Sequence, residues 1–174
     1  DVVEKTQTAI RIRTEFDGAS YVAYRGFFPT DTSSIGGGIQ LTEVIFSIFG
    51  LSKTDGGGSI GVIKTTQASG TDLVAADFDN MTVDNPTEGA TRISIASYST
   101  SGYNDFTLNA DGRAFVNVSG TTFLGVRTNE DMTDTTPAGT ADDTRCSSSD
   151  EAGTTQDPKL VVTIATGAFI FNIL

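Results

Sequence analysis

Hydrophobic residues recur at every second position along this chain in short bursts, and Gly, Asp and Ser separate the bursts. A period of two marks strands with one face buried. In Thr8–Arg13, Ile10 and Ile12 share one face while Arg11 and Arg13 share the other. Asp17-Gly18 signals a turn. The next strand is predicted over Ser20–Phe28 and ended by Pro29, which has no N–H to give to a ladder. Asp31–Gly38 reads as a flexible loop.

The strongest strand is predicted over Ile39–Phe49. Ile39 and Leu41 alternate in one phase, then Val44, Phe46 and Ile48 in the opposite one. One inserted residue swaps the faces of a strand, so the phase change predicts a β-bulge near Thr42-Glu43. Val44, Phe46 and Ile48 should then face the interior, with Glu43 and Ser47 outside. Further strands are predicted over Ile60–Thr66, Arg92–Ala96, Asp105–Leu108, Thr122–Thr128, Thr144–Ser148 and Pro158–Ile164. Helical turns are predicted at Asp72–Phe78, opened by Thr71 or Asp72, and within Asn109–Val116. The acidic stretch Asn129–Asp143 reads as a long surface loop. The expected fold is all-β: an antiparallel, jelly-roll-like β-sandwich with one or two short helical turns. Strand should occupy more than about a third of the chain, above the usual 20–25%, and helix under about a tenth. Residues 1–167 are expected to form one sandwich domain, with 168–174 a separate apolar C-terminal segment.

Composition narrows the function more than the fold. The net charge of −11 at pH 7 argues against a phosphate-binding surface, so no nucleic-acid partner is expected. The absence of His excludes Ser-His-Asp and Cys-His nucleophilic systems and His-ligated zinc. The single cysteine, Cys146, sits in an alternating run and reads as a half-buried strand residue, with Arg145 on the opposite face. The most apolar stretch, Leu160–Leu174, is too short and too Thr-rich for a membrane span. The chain opens on Asp1 with neither an initiator Met nor an apolar leader, and reads as processed or as a portion of something longer.

Of the 22 acidic residues, 16 are Asp, mostly in predicted loops. Asp-rich loops suit a structural calcium ion, and Asp77-Phe78-Asp79-Asn80, Asp131-Met132-Thr133-Asp134 and Asp142-Asp143 are the candidates. Asp is equally a turn residue, bonding its own backbone two positions on, and that is the reading preferred here. No catalytic residue, cofactor or metal site is assigned. Gly36–Gly38 and Gly56–Gly58 lack the Gly-Lys-Ser/Thr of a phosphate loop and read as flexible connections.

Three stretches carry a family resemblance. They are Thr30–Ile35 followed by Ile39–Gly50; Ser99–Asn109, which contains Gly102-Tyr103-Asn104-Asp105-Phe106-Thr107-Leu108-Asn109; and Ser147–Glu151 followed by Asp157-Pro158-Lys159-Leu160-Val161-Val162-Thr163. Their order and spacing resemble a group of β-sandwich domains recurrent in bacteriophage virion proteins and bacterial surface proteins. That group is similar to the carbohydrate-binding-like modules called DNRLRE domains. The sequence departs from the pattern at Gly36–Gly38, where a Pro-containing turn is usual, and at Ile164, where Tyr or His is frequent.

The resemblance implies a non-enzymatic virion structural protein: a capsid decoration, fibre or adhesin-type component of a tailed phage, acting by assembly and display. Its partners would be itself or other virion proteins, and its location the virion. The alternatives are an extracellular carbohydrate-binding module, meeting a host surface glycan through Tyr21, Tyr24, Tyr98 or Tyr103, and a subunit of a bacterial or archaeal surface filament. The C-terminal residues Phe169, Ile170, Phe171, Ile173 and Leu174 resemble the apolar terminus of phage members and are the expected assembly interface. The plainer reading of that segment is a last strand of the same sandwich.

Overall fold

The predicted phase change in the longest strand is realised as an extra residue. In the computed structural model, which describes residues 7–81, 84–137, 141–165 and the backbone of 167–172, that strand runs over Leu41–Thr54. Its Glu43 stands opposite Thr163 and its Leu41 opposite Ile164, so Thr42 is unmatched and bulges. The Thr42 hydroxyl donates to the Thr163 carbonyl at 3.0 Å. Beyond the bulge Val44, Phe46 and Ile48 are fully buried, and Glu43 is exposed. Ser47 departs from expectation, because it too is buried. It lies inside the sheet between Lys159 and Asp105, with a strand on either side.

In chain order the strands are β1 (Ala9–Phe16), β2 (Tyr21–Tyr24), β3 (Gly26–Asp31), β4 (Leu41–Thr54), β5 (Ser59–Lys64), β6 (Ile93–Ser94), β7 (Tyr103–Thr107), β8 (Thr121–Thr128), β9 (Asp142–Ser147), β10 (Lys159–Ile164) and β11 (Gly167–Asn172). The larger sheet has the order β11-β10-β4-β9-β1-β2, with β7 also paired to β4. The smaller sheet has the order β3-β8-β5-β6. All pairings are antiparallel, and the two sheets pack as a sandwich. This is the all-β, antiparallel sandwich expected, with few short helices.

The core lies between the sheets. Ile12, Val44, Phe46, Ile48, Phe106, Leu160 and Val162 from the larger sheet meet Phe28, Ile60, Val62, Leu124 and Val126 from the smaller. The Phe28 and Phe46 rings meet edge to face across the layers, with centroids 5.1 Å apart, and Phe106 packs on the other side of Phe46 at 5.9 Å. Cys146 belongs to this core and is fully buried, not half-buried, because β9 lies inside its sheet.

Several predicted elements differ in detail. The run Ser20–Phe28 is two strands, since the chain leaves the larger sheet at Arg25 and enters the smaller one at Gly26. Pro29 does not end it; β3 continues to Asp31 because it is an edge strand, where a missing N–H is tolerated. The helix expected at Asp72–Phe78 is a 3-10 helix over Ala75–Met81, and the strand expected at Arg92–Ala96 shortens to β6 before a 3-10 turn at Ile95–Ser97. Helix α1 (Ala110–Phe115) forms as predicted, with the Asn109 side chain accepting from Gly112 N. The acidic stretch after Asn129 is not wholly surface loop. Its first residues form α2 (Asn129–Thr133), in which Asp131 and Met132 are buried.

Helix α2 and the 3-10 helix cover the outer face of the smaller sheet, where Met81, Met132 and Ile63 form a second apolar cluster with Phe27. Two glycines let them approach. A Cβ at Gly125 would stand 2.6 Å from Met81 Cε, and one at Gly61 2.8 Å from Met132 Cε.

Truncating Phe46 to Ala removes the ring that bridges both layers. The expected loss is about 3–5 kcal/mol of unfolding free energy, read by urea denaturation. A midpoint unchanged from the parent would mean that Phe46 is not a core anchor.

Candidate functional site

Among the described residues, strand β2 is the outermost strand at one end of the larger sheet and pairs only with β1. Its sequence Tyr-Val-Ala-Tyr leaves Tyr21 44% and Tyr24 37% exposed. A groove of about 820 Å³ follows this edge, within the size range of ligand sites, roughly 300–1,000 Å³. It is lined by β2, by the loop 67–74, by Phe27, Pro29 and Phe78, and by the charged Arg11, Arg25, Asp72, Asp131 and Asp150.

Each wall is held by named bonds. Asp77, buried, accepts from Val74 N at 2.8 Å and from Asn80 Nδ2 at 3.1 Å, which folds the loop back on itself. Ser69 Oγ accepts from Asp72 N at 3.0 Å. Beneath the groove, Arg25 forms a two-pronged pair with Asp131, with both N–H···O distances at 2.8 Å. Arg25 also donates to the Phe78 carbonyl at 2.9 Å and stacks 3.9 Å from the centre of the Phe78 ring. Arg127 donates to the same carboxylate at 2.7 Å and to the Asp131 carbonyl. Burial would push the Asp131 carboxyl up, but hydrogen bonds from Arg25 and Arg127 outweigh it and hold the group below the usual carboxylate range. Tyr21, close to this cluster, is pushed up to about 12 by burial and by the charges of Asp131 and Glu130.

Around the edge, on the outer face of the larger sheet, lies a recess of about 360 Å³ lined by Gln7, Thr8, Ala9, Arg11, Tyr24 and Arg145. Arg11 and Arg145 are directly opposite each other on β1 and β9. Arg11 is held by Asp143 and lies 4.9 Å from the centre of the Tyr24 ring. Arg13 also approaches Asp143, and pairs with Glu15 on its own strand. The exposed Arg145 side chain has no hydrogen-bond or ion-pair partner among the described residues. The groove and recess were not predicted; Arg145 was placed correctly opposite Cys146, but nothing local signals that it faces Arg11.

The other candidate residues sort clearly. Of the four tyrosines, only Tyr21 and Tyr24 reach this site. Tyr98 is buried and donates to the Arg145 carbonyl, while Tyr103 donates to the carbonyls of Thr155 and Asp157 and carries Lys159 Nζ 3.7 Å from its ring centre. The Cys146 thiol is pushed up to about 12 by complete burial, which suppresses the thiolate. The acidic stretches serve the protein itself: Asp77 folds a loop, Asp131 pairs with two arginines, Asp143 pairs with Arg11, and Asp142 accepts from Gly56 N and Gly58 N at 2.9 and 3.0 Å. Among the described residues no group of three or more acidic or cysteine side chains is gathered as a metal site. In the C-terminal segment, Phe169, Ile170 and Phe171 stand opposite Val162, Val161 and Leu160 in the β10–β11 ladder, and Ile173 and Leu174 lie outside the described residues.

Next to Asp142, Glu130 is pushed up by burial and by the hydrogen bond shared with the Asp142 carboxylate. A carboxyl whose folded value is raised loses stability for the fold as pH rises from its unfolded value, about 4.3, through the folded one. Glu130→Gln keeps a donor for Asp142 and cannot ionise. Its melting temperature should exceed the parent's at pH 7, and the gap should close as pH falls toward about 4.3. A pH-independent gap would mean that the Glu130 carboxyl is not raised in the folded protein.

No family model, curated protein or solved structure matches this chain.

Proposed function

We propose that this protein is a non-catalytic structural module of a virion, acting by assembly and display on a particle surface. The observation that carries the reading is the division of labour among its side chains. Buried ionisable groups are committed to holding loops and corners, in the Arg25–Asp131–Arg127 cluster and at Asp142 and its glycine turn. Exposed aromatic surface at Phe16, Tyr21 and Tyr24 gathers at the β1–β2 margin of the larger sheet, whose end strands are β2 and β11. An open strand edge is a template for pairing with another chain, which suits a protein whose work is contact. The absence of His and the suppressed Cys146 thiol fit the same reading.

In this reading the C-terminal strand is an assembly element, and the location is the virion. Strand β11, which carries Phe169, Ile170 and Phe171, pairs with β10 of its own chain and ends the sheet among the described residues. A carbohydrate-binding module is the second reading, favoured by the two exposed tyrosines beside the groove: an aromatic face can stack on a sugar ring.

Deleting residues 168–174 should leave a folded sandwich, since β10 keeps its pairing with β4, while abolishing assembly. Circular dichroism reports the fold and sedimentation velocity the oligomer. A truncated protein that assembles as the parent does would remove the C-terminal segment from the interface. Binding of a neutral oligosaccharide by a monodisperse monomer, lost in Tyr24→Ala, would favour the second reading.

A further inference from the structure

The outer face of β1 and β9 carries a positive charge that the fold leaves uncompensated. Arg11 stands directly opposite Arg145 in the β1–β9 ladder, and like charges so placed repel. Asp143 pairs with Arg11 and approaches Arg13, while Glu15 pairs with Arg13, so three arginines here meet two carboxylates. The charge left over is that of Arg145, whose exposed side chain has no hydrogen-bond or ion-pair partner among the described residues. Its neighbour on the other side, in β4, is the uncharged Ser52. In a chain with 22 acidic residues against 11 basic ones, partners are abundant, yet none is set beside this side chain.

The recess over the pair is lined by Gln7, Thr8, Ala9, Arg11, Tyr24 and Arg145, with no carboxylate among them. The larger groove shares Gln7, Ala9, Arg11 and Tyr24 but also carries Asp72, Asp131 and Asp150, so of the two spaces only the recess is cationic. Arg11 is held from two sides: Nε and Nη2 donate to Asp143, and the guanidinium lies 4.9 Å from the centre of the Tyr24 ring. A guanidinium fixed in this way loses little freedom on binding, and its planar fork suits oxyanions. Because Asp143 already compensates Arg11, Arg145 supplies the attracting charge and Arg11 adds directed N–H groups. At about 360 Å³ the recess lies at the small end of the range for ligand sites, roughly 300–1,000 Å³.

We propose that this recess binds the oxyanion of a small molecule, bridged between Arg145 and Arg11. The shared chemistry is a carboxylate, sulfate or phosphate group, free in solution or borne by an acidic sugar. A bridging anion removes the repulsion between the opposed arginines, so binding stabilises the fold. Neither β10 nor β11 lines the recess, so the site is independent of the C-terminal interface.

The test uses the full chain in calorimetric titrations at constant ionic strength, so that general screening is not read as binding. Glucuronate should bind saturably and raise the melting temperature, and glucose, which has the same ring without the carboxylate, should do neither. Arg145→Ala, at an exposed side chain, should melt no lower than the parent without ligand and should bind glucuronate at least about tenfold more weakly. Arg145→Lys keeps the charge and loses the fork, so its affinity should fall between the two. Inorganic phosphate identifies the source of the anion. Binding as tight as that of glucuronate assigns the site to a free ion, weaker binding assigns it to a sugar acid, and both outcomes support the oxyanion site. Absence of saturable binding by either anion overturns the proposal, as does binding that Arg145→Ala leaves unchanged or that glucose matches.

Discussion

The pairing of Arg25 with Asp131 is the constraint on which the rest of the molecule turns. The chain crosses from the larger sheet to the smaller at Arg25, so this residue sits at the corner of the sandwich. Its guanidinium cannot be left uncompensated there, since its side chain is only 7% exposed. Asp131 supplies the charge, and by also taking Arg127 it draws α2 onto the outer face of the smaller sheet. Phe78 stacks on the same guanidinium and brings the 3-10 helix into the layer. A buried ion pair of this kind adds little net stability over apolar packing, but breaking it costs about 3–5 kcal/mol because one charge is stranded. Its consequence is positional: corner, helix and loop wall are tied together, and the groove lies above them.

A second set of polar contacts, clustered around Asp142, holds another part of the fold. Asp142 gathers the Gly56 and Gly58 amides, Asn129 accepts from Ser59 N, and Thr14 pairs with Thr128 across the layers. These contacts bring β1, β5, β8, β9 and α2 to one place, where burial and the neighbouring Asp142 push the Glu130 carboxyl up. The acidic composition that suggested calcium loops is thus put to use in loop closure and ion pairing. Carboxylates that accept backbone N–H groups supply the buried turns with acceptors that water cannot provide.

Between these tied regions, the sheet margins are left to interact. Edges in most β-proteins are protected by charge, proline or covering segments. Here β3 has its proline, and β2 has two exposed tyrosines beside a groove that mixes apolar and charged side chains.

What the sequence determined by itself was local. The alternation of Val44, Phe46 and Ile48, the bulge near Thr42, the turn at Asp17-Gly18 and the helical turn within Asn109–Val116 all depend on residues within a few positions, so local pattern was enough. The tertiary structure decided whatever needed a distant partner. Asp131 looks like a loop residue until Arg25, 106 positions away, is brought against it, and Arg11 meets Asp143 across 132 positions. Ser20–Phe28 reads as one strand because alternation carries no information about which sheet a residue enters. Ser47 reads as exposed because the pattern does not report the neighbours that cover it. The groove is built from β2, a loop and a buried ion pair that share no sequence pattern, and only their packing makes it a site.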